Sequence, residues 1–497
     1  MEPRGSQRLG TLISSVEERV PGLIENAAEL IDGPARDVIV RAVTQDSREA
    51  EDGTLFCAIV GHTTDGHDFV ASATDAGATA VLVDRPLLPA DSPAVEIYSA
   101  DTSRATGFLA AALMGFPADD LSLVGVTGTN GKTSIVSIIG HLVSACGGNA
   151  ASMGTLTGSL TTAAAPQFQQ ALAQHKSDGA TVVAAEISSH ALDQQRVAGA
   201  QVEVAVFSNL TQDHLDYHAD MEEYFEAKAL LFAPEIGAHC VIDVSDSYGQ
   251  RLADRVEEAR SSGSSQQQLV RVEGDATVAA GTLRQGSSTF TWRDHTIELP
   301  LGGAFSVNNA LLAAEAVVSI GYSVDDVAQA LSTVAQIPGR FESVDAGQPF
   351  AVVVDYSHTP ASVAAAIESA RQLSSERVII VFGAGGDRDS AKRPLMGEAA
   401  SAADVLFVTS DNPRTEDPAR IINEVMAGVT PGADVHSIVD RSQAISSAIA
   451  GATPGDIVVI AGKGHEDYQV IGTERINFDD RVEARAALAA RGWGSNA

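Results

Sequence analysis

The stretch Leu121 to Thr133, LSLVGVTGTNGKT, decides how the rest of the chain is read. Its first half is short and mostly apolar, as a strand buried on both faces must be. Its second half, Thr127-Gly128-Thr129-Asn130-Gly131-Lys132-Thr133, is a glycine-rich turn. The following TSIVSIIGHLVSACG carries apolar residues at helical spacing. Such a turn lets backbone N–H groups close on phosphate oxygens, and the helix N-terminus adds a favourable dipole. Lys132 would neutralise the β- and γ-phosphates, and Thr133 would offer its hydroxyl to Mg²⁺. The generic phosphate-loop pattern wants a glycine where Val126 stands, so the motif departs from it by one residue. Strand, Gly-Lys-Thr and helix nevertheless coincide, which favours nucleotide binding over a plain tight turn.

Outward from this loop, the apolar runs TVVAAEIS, VEVAVFSNL and HCVIDV alternate with helical stretches, the signature of a parallel sheet covered on both faces. After Pro338 and Gly339 the pattern restarts. FAVVVDYS, RVIIVFGAGG, DVLFVTSD and DIVVIAGKG each end in polar residues or glycine, so a second doubly wound (Rossmann-like) sheet is expected, with its chemistry at the strand carboxyl ends. Before the loop, VIVRAVTQDS, GTLFCAIVG and ATAVLVD predict a small α/β domain. The chain of 497 residues is long enough for about three domains at about 150 residues each. The expected fold is therefore α/β with a small N-terminal domain (1–100), a central P-loop-type parallel sheet (101–338) and a C-terminal Rossmann-like sheet (339–497). The Ser/Gly/Gln-rich piece 261–268 reads as a surface loop.

A formal net charge of −33 excludes nucleic acid as an expected partner, because phosphate backbones need clustered cations. No run approaches the ~20 apolar residues of a membrane-spanning helix, and the N-terminus lacks a secretory h-region, so a cytoplasmic protein without membrane association is expected. Three scattered cysteines, Cys57, Cys146 and Cys240, form neither a disulfide framework nor a zinc site. Only five lysines occur, at 132, 176, 228, 392 and 463. In so acidic a chain they mark the local positive islands that an anionic substrate needs.

Two further clusters fall at strand ends. Glu186 closes TVVAAE, and Asn209-Leu210-Thr211-Gln212-Asp213-His214 follows the next strand, so the Glu186 carboxylate and the His214 imidazole face the phosphate loop. Together with Thr133 they could hold Mg²⁺ beside ATP. By contrast, Gly383-Ala384-Gly385-Gly386-Asp387-Arg388 suggests a dinucleotide fingerprint whose third glycine would fall at Arg388, and it reads as a turn at a strand end.

In order and spacing, TGTNGKT, ExSSHAL (186–192), NLTQDHLDYH (209–218), EAKALLF (226–232), DYSHTP (355–360), GAGGDRDSAKRPLMG, SDNPRTEDP and AGKGHEDYQ resemble the Mur ligase family over nearly the whole chain. The resemblance implies ATP-dependent ligation of meso-2,6-diaminopimelate to the D-Glu of UDP-N-acetylmuramoyl-L-alanyl-D-glutamate in peptidoglycan synthesis, by a monomer using Mg²⁺. It implies nucleotide contacts from Gly128, Thr129, Asn130, Gly131, Lys132, Thr133, Ser134, Asn309, Arg340 and Asp355. It implies that Gln45, Ser47, His62, Thr63 and Thr64 hold the UDP end of the precursor, and that Thr161, Thr162, Ser188, Gln194 and Arg196 hold its peptide-bearing part. Lys228 matches a lysine that the family carbamylates to make an N6-carboxylysine, a further metal-binding carboxylate beside Glu186, His214 and Thr133. Catalysis would rest on Lys132, Lys228, Glu186 and His214. Arg393, Asp411, Asn412, Pro413, Arg414, Gly462 and Glu466 match a diaminopimelate pocket. Ser306, Ser357, Ala361 and Ala163 depart from the family's usual residues. The rival readings are a lysine-adding or folylpolyglutamate synthase-like ligase, and a P-loop ATPase switch.

Overall fold

The computed structural model describes residues 5–494, apart from 62–63, 159, 216, 275–276, 278–280, 285 and 375. The run LSLVGVT forms the strand Ser122–Thr127, and the chain passes through Gly131 at φ +92° directly into the helix Lys132–Ala145. Any other residue would be strained at Gly131. A Cβ there would meet the Asn309 side-chain oxygen at 2.5 Å, in a left-handed conformation that only glycine adopts freely.

This strand lies inside a six-stranded, all-parallel sheet. From edge to edge its order is Gln268–Val272, Gly237–Asp243, Val202–Phe207, Ser122–Thr127, Val182–Glu186 and Ala150–Met153. Later strands add on both sides of Ser122–Thr127, which puts the phosphate loop at a topological switch point, where open sheets leave a crevice. One face packs the helices Lys132–Ala145 and Ala304–Ser319 in a core including Ile135, Ile139 and Leu312. The other face buries Phe168, Phe207, Tyr224 and Phe225. The expected loop 261–268 joins the helix Ser247–Ser261 to the edge strand. A three-stranded antiparallel sheet, Thr282–Arg284, Ser287–Trp292 and His295–Leu299, is an addition that the apolar runs did not predict.

The second sheet has the order Glu342–Ser343, Ala351–Asp355, Ile457–Ala461, Val378–Phe382, Val405–Val408 and Val435–Ser437. It is parallel except at its first pair. Four of these strands are the expected ones, and cores on both faces confirm the doubly wound arrangement. The N-terminal sheet is a parallel set, Ala42–Thr44, Thr54–Cys57, Ala80–Val83 and Val95–Tyr98. Its larger core recruits Ala105, Leu109, Leu113 and Phe116, so the helix Thr102–Leu113 packs with this domain and the first core runs past position 100. Among the described residues no helix is long and apolar enough to cross a membrane.

Candidate active site

The phosphate loop is braced from the neighbouring strand end. Thr129 N–H donates to the Asn209 carbonyl at 2.9 Å, and Asn130 N–H donates to Asn209 Oδ1 at 3.0 Å. Thr129 Oγ1 lies 3.1 Å from Tyr224 Oη and accepts from Thr211 N–H at 3.0 Å. Lys132 Nζ folds back on the loop, donating to the carbonyls of Gly128 (2.8 Å) and Thr129 (2.9 Å). Ser134 is buried one residue into the helix after Thr133.

Glu186 is buried at the end of its strand. Its carboxylate accepts from Thr133 Oγ1 at 3.1 Å and from Thr155 N–H at 2.8 Å. Thr133 Oγ1 in turn accepts from Arg340 Nη2 at 2.9 Å, which ties the C-terminal domain to the phosphate loop. Arg340 also stacks over the Tyr356 ring at 4.5 Å. Asp355 accepts from Phe341 N–H and Ser357 N–H at 2.8 and 2.9 Å, so its carboxylate holds the segment that follows Arg340. Asn309, expected as a nucleotide contact, lies against Gly131 of the loop.

Lys228 is 1% exposed, and its Nζ donates to the Gly128 carbonyl at 2.9 Å. Burial and the charge of Lys132 push its pKa well below the usual lysine range, against a smaller opposing pull from Asp213. Burial also lowers His214 to about 4; Asp213 opposes that shift, while His190, Lys132 and Lys228 add to it. The His214 ring packs edge-on to His190 at 4.8 Å. Among the described residues no three His, Cys, Asp or Glu side chains gather as a ready-made metal cluster. What is preformed is an oxygen pair, Glu186 with Thr133, and a buried lysine, Lys228, bonded to the phosphate loop and disposed to be neutral; the His214 side chain is 44% exposed.

The residues expected to hold the peptide-bearing part of the precursor form one network leading away from Glu186. Thr162 Oγ1 donates to the Glu186 carbonyl (2.8 Å) and accepts from Ser188 N–H (3.0 Å). Arg196 donates to the Thr162 carbonyl (2.9 Å) and to Gln194 Oε1 (2.7 Å), and Gln194 Nε2 donates to Tyr217 Oη (3.0 Å). Thr161 Oγ1 lies 3.3 Å from Thr155 Oγ1. In the N-terminal domain, Gln45 and Ser47 follow the strand Ala42–Thr44, and Thr64 follows the adjacent parallel strand Thr54–Cys57, so they share its carboxyl edge. His62 and Thr63 lie outside the described residues.

In the C-terminal domain, the 411–414 and 462–466 loops converge. Asn412 Nδ2 donates to Glu466 Oε2 (2.9 Å), and the fully buried Lys463 donates to Glu466 (2.8 Å) and to Asn412 Oδ1 (3.2 Å). Gly462 packs against Asp411, since a Cβ there would lie 2.6 Å from Asp411 Oδ2. Pro413 is buried, and Arg414 Nη1 donates to the Gly386 carbonyl at 2.6 Å. Among the described residues Arg414 pairs with neither Glu416 nor Asp417, and its Nε and Nη2 donate to nothing.

Arg393 is engaged by its own fold. Expected in the amino-acid pocket, it is 0% exposed and bridges Glu416 (2.7 Å), Glu424 (2.6 Å) and the Gly385 carbonyl (3.1 Å). A guanidinium buried this way must be paired by its own fold, and both of its terminal nitrogens are taken by Glu416, Glu424 and the Gly385 carbonyl, leaving only the buried Nε without a partner. The exposed arginine of the same loop is Arg388, which makes no ion pair or hydrogen bond among the described residues and shares Gly385 as a neighbour with Arg414. The sequence signal for it was the glycine-rich run 383–386 at a strand end, which reads as a turn until the fold sets it beside Arg414.

A phosphate loop at the switch point of one parallel sheet, met by an arginine that leads into a second, is the arrangement of a nucleotide-using enzyme built across two domains. The chain matches the Mur ligase family, catalytic domain over residues 39–114, the Mur ligase middle domain over 126–317 and the Mur ligase, glutamate ligase domain over 339–464. It belongs to the Mur ligase family. A UDP-N-acetylmuramoyl-L-alanyl-D-glutamate--2,6-diaminopimelate ligase of Thermosynechococcus vestitus is 43% identical, over 92% of this chain and 95% of that protein. One of the same name from Synechococcus sp. (strain WH7803) is 42% identical, over 98% and 100%. A solved structure of a ligase of that name is similar at 34% identity and a TM-score of 0.67, covering 96% of this chain and 99% of its own. The MurF ligase of Thermotoga maritima in complex with ADP shares the fold at 19% identity and a TM-score of 0.58, over 86% of this chain and 94% of its own.

Proposed function

We infer that the chain is an ATP-dependent ligase that joins meso-2,6-diaminopimelate to the D-Glu side-chain carboxylate of UDP-N-acetylmuramoyl-L-alanyl-D-glutamate. Arg414 carries the choice of amino acid. Its guanidinium is held at one nitrogen by the Gly386 carbonyl and has its other donors unclaimed among the described residues, on the loop whose Asn412 bonds Glu466, and such a fork matches a carboxylate in a bidentate way. Diaminopimelate differs from lysine by one carboxylate at the distal end. Relatives more than 40% identical over nearly the whole chain carry the same activity in their names.

The chemistry is carboxylate activation. The γ-phosphoryl group of ATP passes to the D-Glu carboxylate oxygen, ADP leaves, the diamino acid's amine attacks the acyl carbon, and phosphate departs. Two anions must meet, so the loop N–H groups and Lys132 supply most of the barrier reduction electrostatically. The residues present fit Mg²⁺. Glu186 and Thr133 offer hard oxygen donors 3.1 Å apart, His214 a neutral nitrogen, and a Lys228 carbamate a further carboxylate. When bound, the ion would offset phosphate charge as the γ-phosphoryl group moves. Low proton affinity at Lys228 favours the free amine, the only form that can add CO₂. Arg388 would face the amino acid beside Arg414, and Arg393 would hold the loop from behind.

An ADP-release assay with the UDP-dipeptide and a panel of amino acids tests this reading. Release is expected only with diaminopimelate present. Equal turnover with L-lysine would refute the amino-acid assignment, and ADP release without any acceptor would refute the ligase.

A further inference from the structure

We propose that the hairpin Tyr468–Ile471/Glu474–Asn477 is a selectivity clamp, and that Gln469 and the turn at Gly472 are positioning residues for Arg414. The inference rests on the assignment of Arg414 to the amino acid's distal carboxylate. The hairpin contributes little to the core: the strand Glu474–Asn477 is exposed along its whole length, and Ile471 and Ile476 are 48% and 40% exposed. Its inner strand instead binds the 411–414 loop residue by residue. Gln469, buried, donates from Nε2 to the Asp411 carbonyl at 2.5 Å. Val470 N–H donates to Asn412 Oδ1 at 2.9 Å. Arg414 N–H donates to the Val470 carbonyl at 3.0 Å, and Gly472 N–H donates to the Arg414 carbonyl at 2.7 Å.

Arg414 needs such support. Its φ of +51° is a left-handed conformation that an arginine adopts only when its surroundings hold it there. The two backbone hydrogen bonds on either side of Arg414 come from the hairpin, while Gly386 fixes only the guanidinium tip. Without the hairpin, Asn412 would keep its bonds to Glu466, Lys463 and Gly386, but the Arg414 N–H and carbonyl would lose their partners, and the left-handed residue could relax and swing the guanidinium out of register with the amino acid. Gly472 itself sits at φ +61° with open space around a would-be Cβ, so its conformation serves the turn rather than packing.

The test uses the full-length enzyme with Gln469→Leu and, separately, Gly472→Val. The first removes the donor to Asp411. The second strains an exposed turn that packs on nothing, which keeps the core intact if Gln469→Leu fails to fold. Expected for each folded variant is at least a tenfold fall in kcat/KM for diaminopimelate and a matching loss of preference over L-lysine. KM for ATP and for the UDP-dipeptide should stay within twofold of wild type, a split that general loosening of the fold would not give. Preference and KM for diaminopimelate unchanged in both variants would overturn the proposal. A wild-type enzyme without preference between the two amino acids would instead overturn the functional reading beneath it.

Discussion

Lys132 and Lys228 point their side-chain nitrogens at one acceptor, the carbonyl oxygen of Gly128, at 2.8 and 2.9 Å. Two ammonium groups cannot comfortably share so small a buried site, and the strain falls on Lys228, which is 1% exposed. Buried in this way, the lysine is a liability to the fold, which fits retention for chemistry.

Lys228→Met should abolish ligation while raising stability by about 0.5–2 kcal/mol, as removal of an unfavourable functional group commonly does. Gly128 keeps Lys132 as a donor, so no acceptor is orphaned. The sign with pH follows from proton binding. Below the ordinary lysine value of 10.5 the unfolded chain holds a proton that the folded lysine gives up, so wild-type stability rises toward that pH. Thermal unfolding of both proteins should therefore show the methionine variant's advantage near pH 7 and its shrinkage as pH approaches 10. Lys228→Ala supplemented with formate should regain part of the activity; near-normal turnover without supplement would end the carbamate reading.

Glu186→Gln and His214→Ala should each raise the Mg²⁺ concentration needed for half-maximal ADP release and lower turnover, by roughly 10²-fold if a metal contact is lost. Titration of Mg²⁺ at saturating ATP reads this directly. A variant that is less stable but keeps wild-type Mg²⁺ dependence per folded molecule would show that the side chain only braces the strand end.

Arg388 and Arg393 should separate cleanly. Arg388→Ala should raise KM for diaminopimelate about tenfold or more with little change in melting temperature, since an exposed and unpaired side chain adds little to stability. Arg393→Met should act first on stability, because it removes the guanidinium that pairs Glu416 and leaves Glu424 with Arg420 alone. The Arg393 guanidinium holds the Glu416 carboxyl down to about 2, so the contribution of this pair is full above the ordinary glutamate value of 4.5 and fades as pH falls toward 2. The melting temperatures of wild type and Arg393→Met should thus draw closer between pH 7 and 3.

Arg441 and Asp480 form a wholly buried pair, with bonds of 2.7 and 2.8 Å, and Arg441 also donates to the Ala461 carbonyl that leads into the 462–466 loop. Arg441→Met alone should cost about 3–5 kcal/mol by leaving Asp480 buried and unpaired. Adding Asp480→Leu should recover most of that loss in denaturant unfolding. If the double variant is no more stable than the single one, the penalty comes from the unmade carbonyl contact rather than from the stranded charge.

The sequence by itself determined the two sheets and the place of the phosphate loop. Apolar, β-branched runs such as VVVD and VIIVF favour strands buried on both faces, and Gly131 before Lys132 permits the left-handed turn into a helix. The places in the fold of Glu186 and of the 411–414 and 462–466 loops were legible because they follow or end apolar strands. Tertiary structure alone decided which arginine is free. Arg388 and Arg393 are five positions apart on one loop-helix segment, and nothing local tells them apart; carboxylates brought from Glu416 and Glu424 claim Arg393 and leave Arg388 exposed. The same holds for Arg340, whose partner Thr133 lies 207 positions away, and for Arg414, whose left-handed backbone is held by hydrogen bonds from a hairpin almost sixty residues downstream. Strand and loop identity are set by short-range sterics and burial period, while the pairing of charges depends on which distant segments the packed sheets bring together.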